Sequence, residues 1–244
     1  MNHHPSNCEN TGLLVSIRSV AEAIIAQNAS CVSIIDLKEP SNGSLGCVSF
    51  DTAKAITDRL ADGALKSIAL GEAVDWPVWP LVELEARNEL LSTFDFVKVG
   101  LSGLASDSNW IRRWKECFGY LPGNIRRVAV AYADAEKANS PSVEAVIESA
   151  NEVGCSVLLI DTFCKNNGRL TEVLSLEKLT SSVAAARERD MLVVLAGSLR
   201  KDDVAFVQKA NPDLVAIRGA ACIADRASTI DHDRIVEFSK LLQS

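Results

Sequence analysis

The stretch CVSIIDLK at Cys31–Lys38 is a β-branched apolar run that ends in charged residues. Continuous apolar runs of this length are typical of parallel strands, because helices cover one face and a barrel core covers the other. Seven similar runs occur along the chain, and amphipathic stretches separate them. The predicted strands are Leu13–Ile17, Cys31–Lys38, Ser67–Gly71, Phe94–Gly100, Arg127–Asp134, Ser156–Asp161, Leu192–Gly197 and Leu214–Gly219.

The stretches between these runs have helical patterns. Several begin with Ser, Thr or Asp, whose side-chain oxygen can accept an otherwise unpaired helix N–H. The predicted helices are Ser19–Asn28, Thr52–Leu60, Leu81–Leu91, Ser108–Cys117, Ser142–Glu152, Ser175–Arg189, Asp202–Lys209 and Asp231–Leu242. Alternation of eight strands with eight helices predicts a closed (β/α)8 TIM barrel. A doubly wound open sheet usually has fewer strands, and no G-x-G-x-x-G follows the first strand.

The chain length fits one domain of this kind. Its 244 residues are close to the ~250 typical of a single α/β barrel, and no linker or shift in composition divides the chain. We therefore expect a loose tail over residues 1–12 and one catalytic domain over residues 13–244.

Composition and charge exclude several classes of partner. The net charge of −7 comes without any long Lys/Arg cluster, so nucleic acid is not an expected partner. No apolar stretch reaches the ~18 to 20 residues that span a bilayer, and the polar N-terminal segment has no signal-peptide core. We expect a cytoplasmic protein without a membrane partner, and a homo-oligomer is compatible with the fold.

Cysteine and histidine usage predicts neither disulfides nor a metal site. The seven cysteines form no C-x-x-C pair, and the three histidines, His3, His4 and His232, are dispersed. We expect neither a metal nor another cofactor.

Charged residues collect where the predicted strands end, which is where an α/β barrel binds its substrate. Asp36 and Lys38 lie two residues apart and so share one face of the second strand. Lys98 ends the fourth run, and Asp161 ends the sixth, followed by Lys165. Because buried charges each need a partner, such a cluster favours a functional centre over a structural network of ion pairs.

Clustered cations disfavour each other's protonation and lower lysine pKa values, which makes a neutral nucleophilic amine available for imine formation with a carbonyl. A lone lysine at a strand end can equally be a snorkelling side chain. Tyr132 and Asp134 end the fifth run at the same rim, and we take them as candidate substrate-binding residues.

Small residues follow the last two predicted strands, where TIM barrels often bind phosphate through backbone N–H groups. Gly197 and Ser198 follow the seventh strand, and Gly219 and Ala220 follow the eighth. Arg218 is expected to add a charge-assisted contact to the phosphate oxygens. Either glycine alone is also compatible with a tight turn that binds no ligand.

Several segments resemble one enzyme family. They are Ile34–Pro40, Gly43–Gly46, Val97–Leu101, Ala131–Asp134, Asp161–Thr162 with Lys165, Leu195–Ser198 and Val215–Cys222. From Leu13 onward the chain resembles the (5-formylfuran-3-yl)methyl phosphate synthases, also called 4-(hydroxymethyl)-2-furancarboxaldehyde-phosphate synthases. The segment Glu72–Pro80, which contains Trp76 and Trp79, departs from the pattern of the archaeal members.

The resemblance implies condensation of two glyceraldehyde 3-phosphate molecules with loss of one phosphate and two waters. It implies that Lys38 is the Schiff-base lysine, that Lys98 is an acid/base lysine, and that Asp36, Asp161 and Lys165 are further active-site groups. Two alternatives remain open from the residues alone. One is a sugar-phosphate isomerase or aldolase of the same fold, and the other is a non-catalytic protein that binds phosphorylated metabolites.

Overall fold

A computed structural model of the chain describes residues 11–76, 81–165 and 168–244. The first ten residues of the expected tail and Trp79 lie outside this range. The strands are β1 Gly12–Ile17, β2 Ile34–Leu37, β3 Lys66–Glu72, β4 Phe96–Gly100, β5 Arg126–Tyr132, β6 Cys155–Asp161, β7 Leu192–Leu195 and β8 Leu214–Ile217. Each pairs in parallel with the next, and β8 pairs with β1. This closed sheet confirms the predicted (β/α)8 barrel.

Five strands are shorter than predicted. β4 begins at Phe96 rather than Phe94, and β5 ends at Tyr132 rather than Asp134. β2 begins at Ile34 rather than Cys31, and β7 and β8 each end two residues before the predicted glycine. After β7 the chain leaves the extended conformation because Gly197 and Ser198 have φ angles of 107° and 53°. The polar rim residues of these two strands therefore lie on loops.

The helices follow the predicted alternation. They are α1 Val20–Asn28, α2 Phe50–Thr57, α3 Leu81–Leu91, α4 Trp110–Gly119, α5 Ala135–Ala138, α6 Val143–Val153, α7 Leu170–Val173, α8 Leu176–Arg187, α9 Val204–Lys209 and α10 His232–Leu242. Five of them begin after a side chain that accepts a backbone N–H three residues on, namely Ser19, Ser49, Ser142, Ser175 and Asp231. The sequence did not predict the short helices α5 and α7.

The strands carry two apolar layers, because successive side chains point to opposite faces. One set, which includes Val15, Leu37 and Val97, packs outward against helices. The other set fills the barrel interior, and its members include Leu14, Ile34, Phe96, Val128, Leu159 and Val194. Asp36 and Lys98 continue this inward row toward the C-terminal ends of their strands. The polar rim therefore lies directly above an apolar layer that fills the barrel interior.

Within the described ranges, no helix has the length and apolar character needed to cross a bilayer.

Candidate active site at the C-terminal mouth of the barrel

Asp36 and Lys98 form a buried ion pair inside the barrel. The Lys98 Nζ lies 2.6 Å from Asp36 Oδ1, and both side chains are almost fully buried. The hydroxyl of Ser16, which is paired with Asp36 in the β1–β2 register, donates to Asp36 Oδ2 at 2.8 Å. Both carboxylate oxygens are therefore held in place between β1 and β4.

Lys38 follows β2 directly, and its backbone N–H donates to the Ile17 carbonyl. Its side chain is buried, with Nζ 3.9 Å from Asp161 Oδ2. The pKa of Lys38 is lowered to about 8, chiefly by burial and also by the charges of Lys165 and Lys98, while Asp161 and Asp36 oppose the shift. About one tenth of the Lys38 amine is therefore neutral at pH 7.

Asp161 lies between two amines. Its Oδ1 is 2.6 Å from Lys165 Nζ and also accepts the Thr162 backbone N–H at 2.8 Å. Burial alone would raise the pKa of Asp161, but Lys165 and Lys38 bring it below its ordinary value. Lys165 also donates to the Thr162 carbonyl. The structure thus brings all five predicted charged residues into one cluster.

Tyr132 links this cluster to a residue that sequence analysis missed. The buried Tyr132 hydroxyl donates to Glu72 Oε1 at 2.6 Å, and Glu72 Oε2 accepts the Ser102 N–H at 2.9 Å. Burial, together with the Glu72 charge, raises the pKa of Tyr132 well above its usual value. Gly100 leaves room for the Glu72 carboxylate, which a Cβ at that position would strike. Glu72 ends β3, one residue beyond the predicted strand.

Asp134 is bonded to the loop after β6. Its two carboxylate oxygens accept the backbone N–H groups of Phe163 and Cys164 at 2.6 and 2.9 Å. Both oxygens are thus bonded to the loop backbone, an interaction that the sequence did not predict, and a substrate contact of Asp134 stays a prediction. Asp134 holds the loop that leads to Lys165.

The turn after β7 is tightly packed at Gly197 and is followed by backbone N–H groups that the described chain does not use. A Cβ at Gly197 would lie 3.0 Å from Leu170 Cβ and from Thr162 Cγ2, so only glycine fits here without displacement. Within the described part of the chain, the backbone N–H groups of Ser198 and Leu199 have no hydrogen-bond acceptor. These two donors are available to a bound anion.

The turn after β8 is a single 3₁₀ turn at Gly219–Ala221 rather than an α-helix. Among the described residues, nothing accepts the N–H groups of Gly219 and Ala220. Backbone N–H groups without an acceptor among the described residues therefore follow both strands, and anion binding there stays a prediction.

Arg218, by contrast, does not face the mouth as predicted. Its guanidinium forms a buried pair with both carboxylate oxygens of Glu22 on α1. The remaining N–H groups donate to the carbonyls of Ser16, Arg226 and Ser228. All five donors are used, so the predicted phosphate contact of Arg218 is corrected to a structural role.

Two cavities open at opposite ends of the barrel. One, of about 300 Å³, lies beside the rim and is lined by residues that include Ser44, Glu72, Ser102 and Phe163. The other, of about 850 Å³, lies at the N-terminal ends of the strands and reaches Lys98. In an α/β barrel the C-terminal end carries the chemistry, and the lysine cluster lies there.

A closed (β/α)8 barrel with lysines and aspartates gathered at its C-terminal mouth defines a TIM-barrel protein with an amine-based centre. The family model described as 4-HFC-P synthase matches residues 13–239. The chain belongs to this 4-HFC-P synthase family.

Curated relatives carry the name (5-formylfuran-3-yl)methyl phosphate synthase. The relative from Methanococcus maripaludis is 33% identical and covers 94% of this chain and 98% of its own. The one from Methanothermobacter thermautotrophicus is 30% identical over 95% and 99%, and the one from Methanopyrus kandleri is 34% identical over 86% and 89%.

Solved structures of other enzymes share the fold. Phosphoribosyl anthranilate isomerase from Thermus thermophilus has a TM-score of 0.62 at 12% identity, covering 96% of this chain and 98% of its own. The 3-hexulose-6-phosphate synthase from Salmonella typhimurium has a TM-score of 0.58 at 15% identity, covering 96% and 99%. These likenesses establish the barrel architecture alone.

Proposed function

We propose that this protein is a (5-formylfuran-3-yl)methyl phosphate synthase of methanofuran-type cofactor biosynthesis, and that it condenses two glyceraldehyde 3-phosphate molecules through an imine on Lys38. The observation that carries the proposal is the buried Lys38 amine, whose pKa of about 8 leaves a nucleophilic fraction near neutral pH. Ordinary exposed lysines keep their charge at that pH.

The first step is attack of the neutral Lys38 amine on the aldehyde of one triose phosphate, with loss of water. The resulting iminium acidifies the neighbouring C–H bond. A base removes that proton, and the electron pair of the C–H bond forms the enamine double bond. Lys98, held by Asp36 at 2.6 Å, and Lys165, held by Asp161 at 2.6 Å, are the candidate proton carriers.

In the later steps, phosphate leaves from the first triose and a carbon–carbon bond forms to the second, which keeps its phosphate ester. Ring closure and dehydration then give the furan aldehyde, and imine hydrolysis releases Lys38. The sum is two triose phosphates giving one furan aldehyde phosphate, one phosphate and two waters. The dehydration is effectively irreversible because it makes the furan ring aromatic.

The retained phosphate is proposed to bind at the turns after β7 and β8. The N–H groups of Ser198, Leu199, Gly219 and Ala220 lack acceptors in the described chain and suit an anionic ester. Glycine at position 197 lets the backbone approach this anion closely.

Borohydride trapping tests the imine. Incubation with glyceraldehyde 3-phosphate and borohydride should add the mass of the reduced substrate to the Lys38 peptide. Lys38→Gln should lose the adduct and the absorbance of the furan product. The control is Lys54→Gln, because Lys54 is an exposed lysine paired with Asp58 on the outside of the barrel, and it should retain both signals.

Two results would contradict the proposal. One is an active enzyme whose Lys38 peptide stays unmodified, which would favour an isomerase that works by proton transfer alone. The other is a wild-type protein that releases no phosphate from glyceraldehyde 3-phosphate, which would favour a non-catalytic binding protein. Circular dichroism of Lys38→Gln separates loss of chemistry from loss of folding.

A further inference from the structure

Two arginines near the strand ends, Arg18 after β1 and Arg218 after β8, hold the loop at residues 223–229 against the barrel. Arg218 donates to the carbonyls of Arg226 and Ser228 at 3.0 Å each, and Arg18 donates to the Ala227 carbonyl. Where the loop rejoins the fold, Cys222 bridges to Ile230. Three successive carbonyls, at residues 226 to 228, are therefore held, which fixes where the Arg226 side chain starts.

The Arg226 side chain starts beside the proposed phosphate turn. Its Cβ would lie 3.9 Å from a Cβ built on Gly219. The side chain is half-buried, and its guanidinium has no hydrogen-bond or ion-pair partner among the residues that the structure describes.

The charge of Arg226 reaches the lysine cluster. Burial lowers the pKa of Arg226, and the charge of Asp161 offsets part of this shift. Burial lowers the pKa of Lys165, and the Arg226 charge lowers it further, while Asp161 opposes both. The Arg226 guanidinium is therefore near enough to Asp161 and Lys165 for their charges to interact, and its side chain starts beside the β8 turn.

A half-buried cation without a partner is unusual, because burial without compensation costs free energy. Arg218 illustrates the ordinary outcome, since each of its donors has an acceptor. Arg226 keeps five donors in a planar fork, a geometry that matches phosphate oxygens. The adjacent N–H groups of Gly219 and Ala220 point to the same kind of ligand.

We propose that Arg226 is the cationic residue that binds the phosphate ester of the substrate, a role that neither its sequence neighbourhood nor the strand pattern assigns. The inference rests on the proposed function for the identity of the substrate. The inferred contact itself concerns binding alone. In it, a phosphomonoester lies between Arg226 and the N–H groups of Gly219 and Ala220.

Glycerol 3-phosphate tests the inference without chemistry, because it carries the phosphate ester but no carbonyl for Lys38. Isothermal titration calorimetry should give a dissociation constant about 10- to 100-fold weaker for Arg226→Gln than for wild type, the range expected for one charge-assisted contact. Arg226→Lys should recover part of the loss, because a lysine keeps the charge but not the fork.

Arg234→Gln is the matched control. Arg234 is exposed and donates to the Ile223 carbonyl of the same loop, so its loss disturbs the loop from the outer side. Binding of glycerol 3-phosphate to this variant should stay within about twofold of wild type. Equal losses in both variants would show a structural effect on the loop and would overturn the assignment.

Turnover separates this inference from the proposed function. With glyceraldehyde 3-phosphate, Arg226→Gln should raise KM with a small change in kcat, and with unphosphorylated glyceraldehyde it should trap on Lys38 as well as wild type does. Absence of a Lys38 adduct in wild type together with Arg226-dependent binding would refute the synthase and keep the phosphate site. Failure of wild type to bind glycerol 3-phosphate, or unchanged binding in Arg226→Gln, would overturn the Arg226 assignment itself.

Discussion

The barrel mouth has two sides, one formed by ionisable side chains and the other by backbone N–H groups. The amine side is formed by side chains on β2, β4 and β6 or directly after them, and their charges depend on one another. It comprises Lys38, Lys98, Lys165, Asp36 and Asp161. The proposed anion side consists of backbone N–H groups on the loops after β7 and β8, at Gly197, Ser198, Leu199, Gly219 and Ala220.

The difference has a chemical reason. A phosphate dianion beside a lysine would stabilise the ammonium form and raise its pKa, and a protonated amine cannot form an imine. Backbone N–H groups bind the anion without titrating. A mouth that separates the two sides can hold a phosphate ester and still keep the pKa of Lys38 at about 8.

Asp161→Asn should break the amine side most severely. Lys38 and Lys165 both lose their carboxylate, and we expect kcat to fall about 10²- to 10⁴-fold, the range for loss of general acid–base function. Because Asp161 raises the pKa of Lys38, its removal should lower that pKa further and leave borohydride trapping in place. We expect the variant to form almost no furan product but still to give the borohydride adduct on Lys38.

Phosphate binding by the Asp161→Asn variant is the control. Binding of glycerol 3-phosphate to Asp161→Asn should stay within about threefold of wild type. A parallel loss of binding would mean that the two sides are not separate.

The two sides should also differ in how catalysis and phosphate binding depend on pH. Below pH 8 the Lys38 amine is mostly protonated and cannot attack, so kcat/KM for glyceraldehyde 3-phosphate should rise about tenfold from pH 6 to 7 and level off only above pH 8. Binding of glycerol 3-phosphate should change less than about threefold between pH 7 and 9, because arginine and backbone N–H groups do not titrate there. A flat kcat/KM profile over pH 6 to 8 would remove Lys38 as the titrating nucleophile.

Gly197→Ala should damage the anion side by a smaller amount. The new Cβ would meet Leu170 and Thr162 at 3.0 Å and would sit at a φ of 107°, so we expect binding of glycerol 3-phosphate to weaken about tenfold and the free energy of unfolding to fall by about 1–3 kcal/mol. Calorimetry and thermal denaturation measure the two effects.

Gly63→Ala is the matched control for that change. Gly63 has a φ of 84° but nothing within 4 Å of its Cβ position. It should show the backbone cost without a loss of binding, and trapping by glyceraldehyde should be normal in both variants. Equal binding in the two variants would exclude the β7 turn from the phosphate site.

Asp134→Asn should have the smallest effect. An amide offers one oxygen to the two N–H groups of Phe163 and Cys164 that the carboxylate binds, so the loop carrying Lys165 should loosen and kcat should fall about three- to tenfold. Binding of glycerol 3-phosphate should not change. A rise in the dissociation constant without a change in kcat would support the substrate contact predicted for Asp134.

Much of the fold and part of the site could be predicted from the sequence, because alternation along a strand is a local property. The pattern Ile35, Asp36, Leu37, Lys38 already decides which side chains point inward, and the structure agrees. The capped starts of the helices are local for the same reason.

The rest depends on residues far apart in the chain. Arg218 has the sequence context of a phosphate ligand, yet Glu22 on α1 occupies its guanidinium. Glu72 was missed because the predicted third strand ended at Gly71, and Arg226 was missed because it lies in a loop without periodicity.

By itself the sequence determined the eightfold alternation of strand and helix and the gathering of amines and carboxylates where strands end, because both follow from short-range periodicity. Only the tertiary structure decided which carboxylate each amine meets and which arginine has donors without an acceptor among the described residues. Those choices depend on ångström-scale distances between strands that closure of the barrel brings together, and Coulomb and hydrogen-bond energies change steeply over such distances.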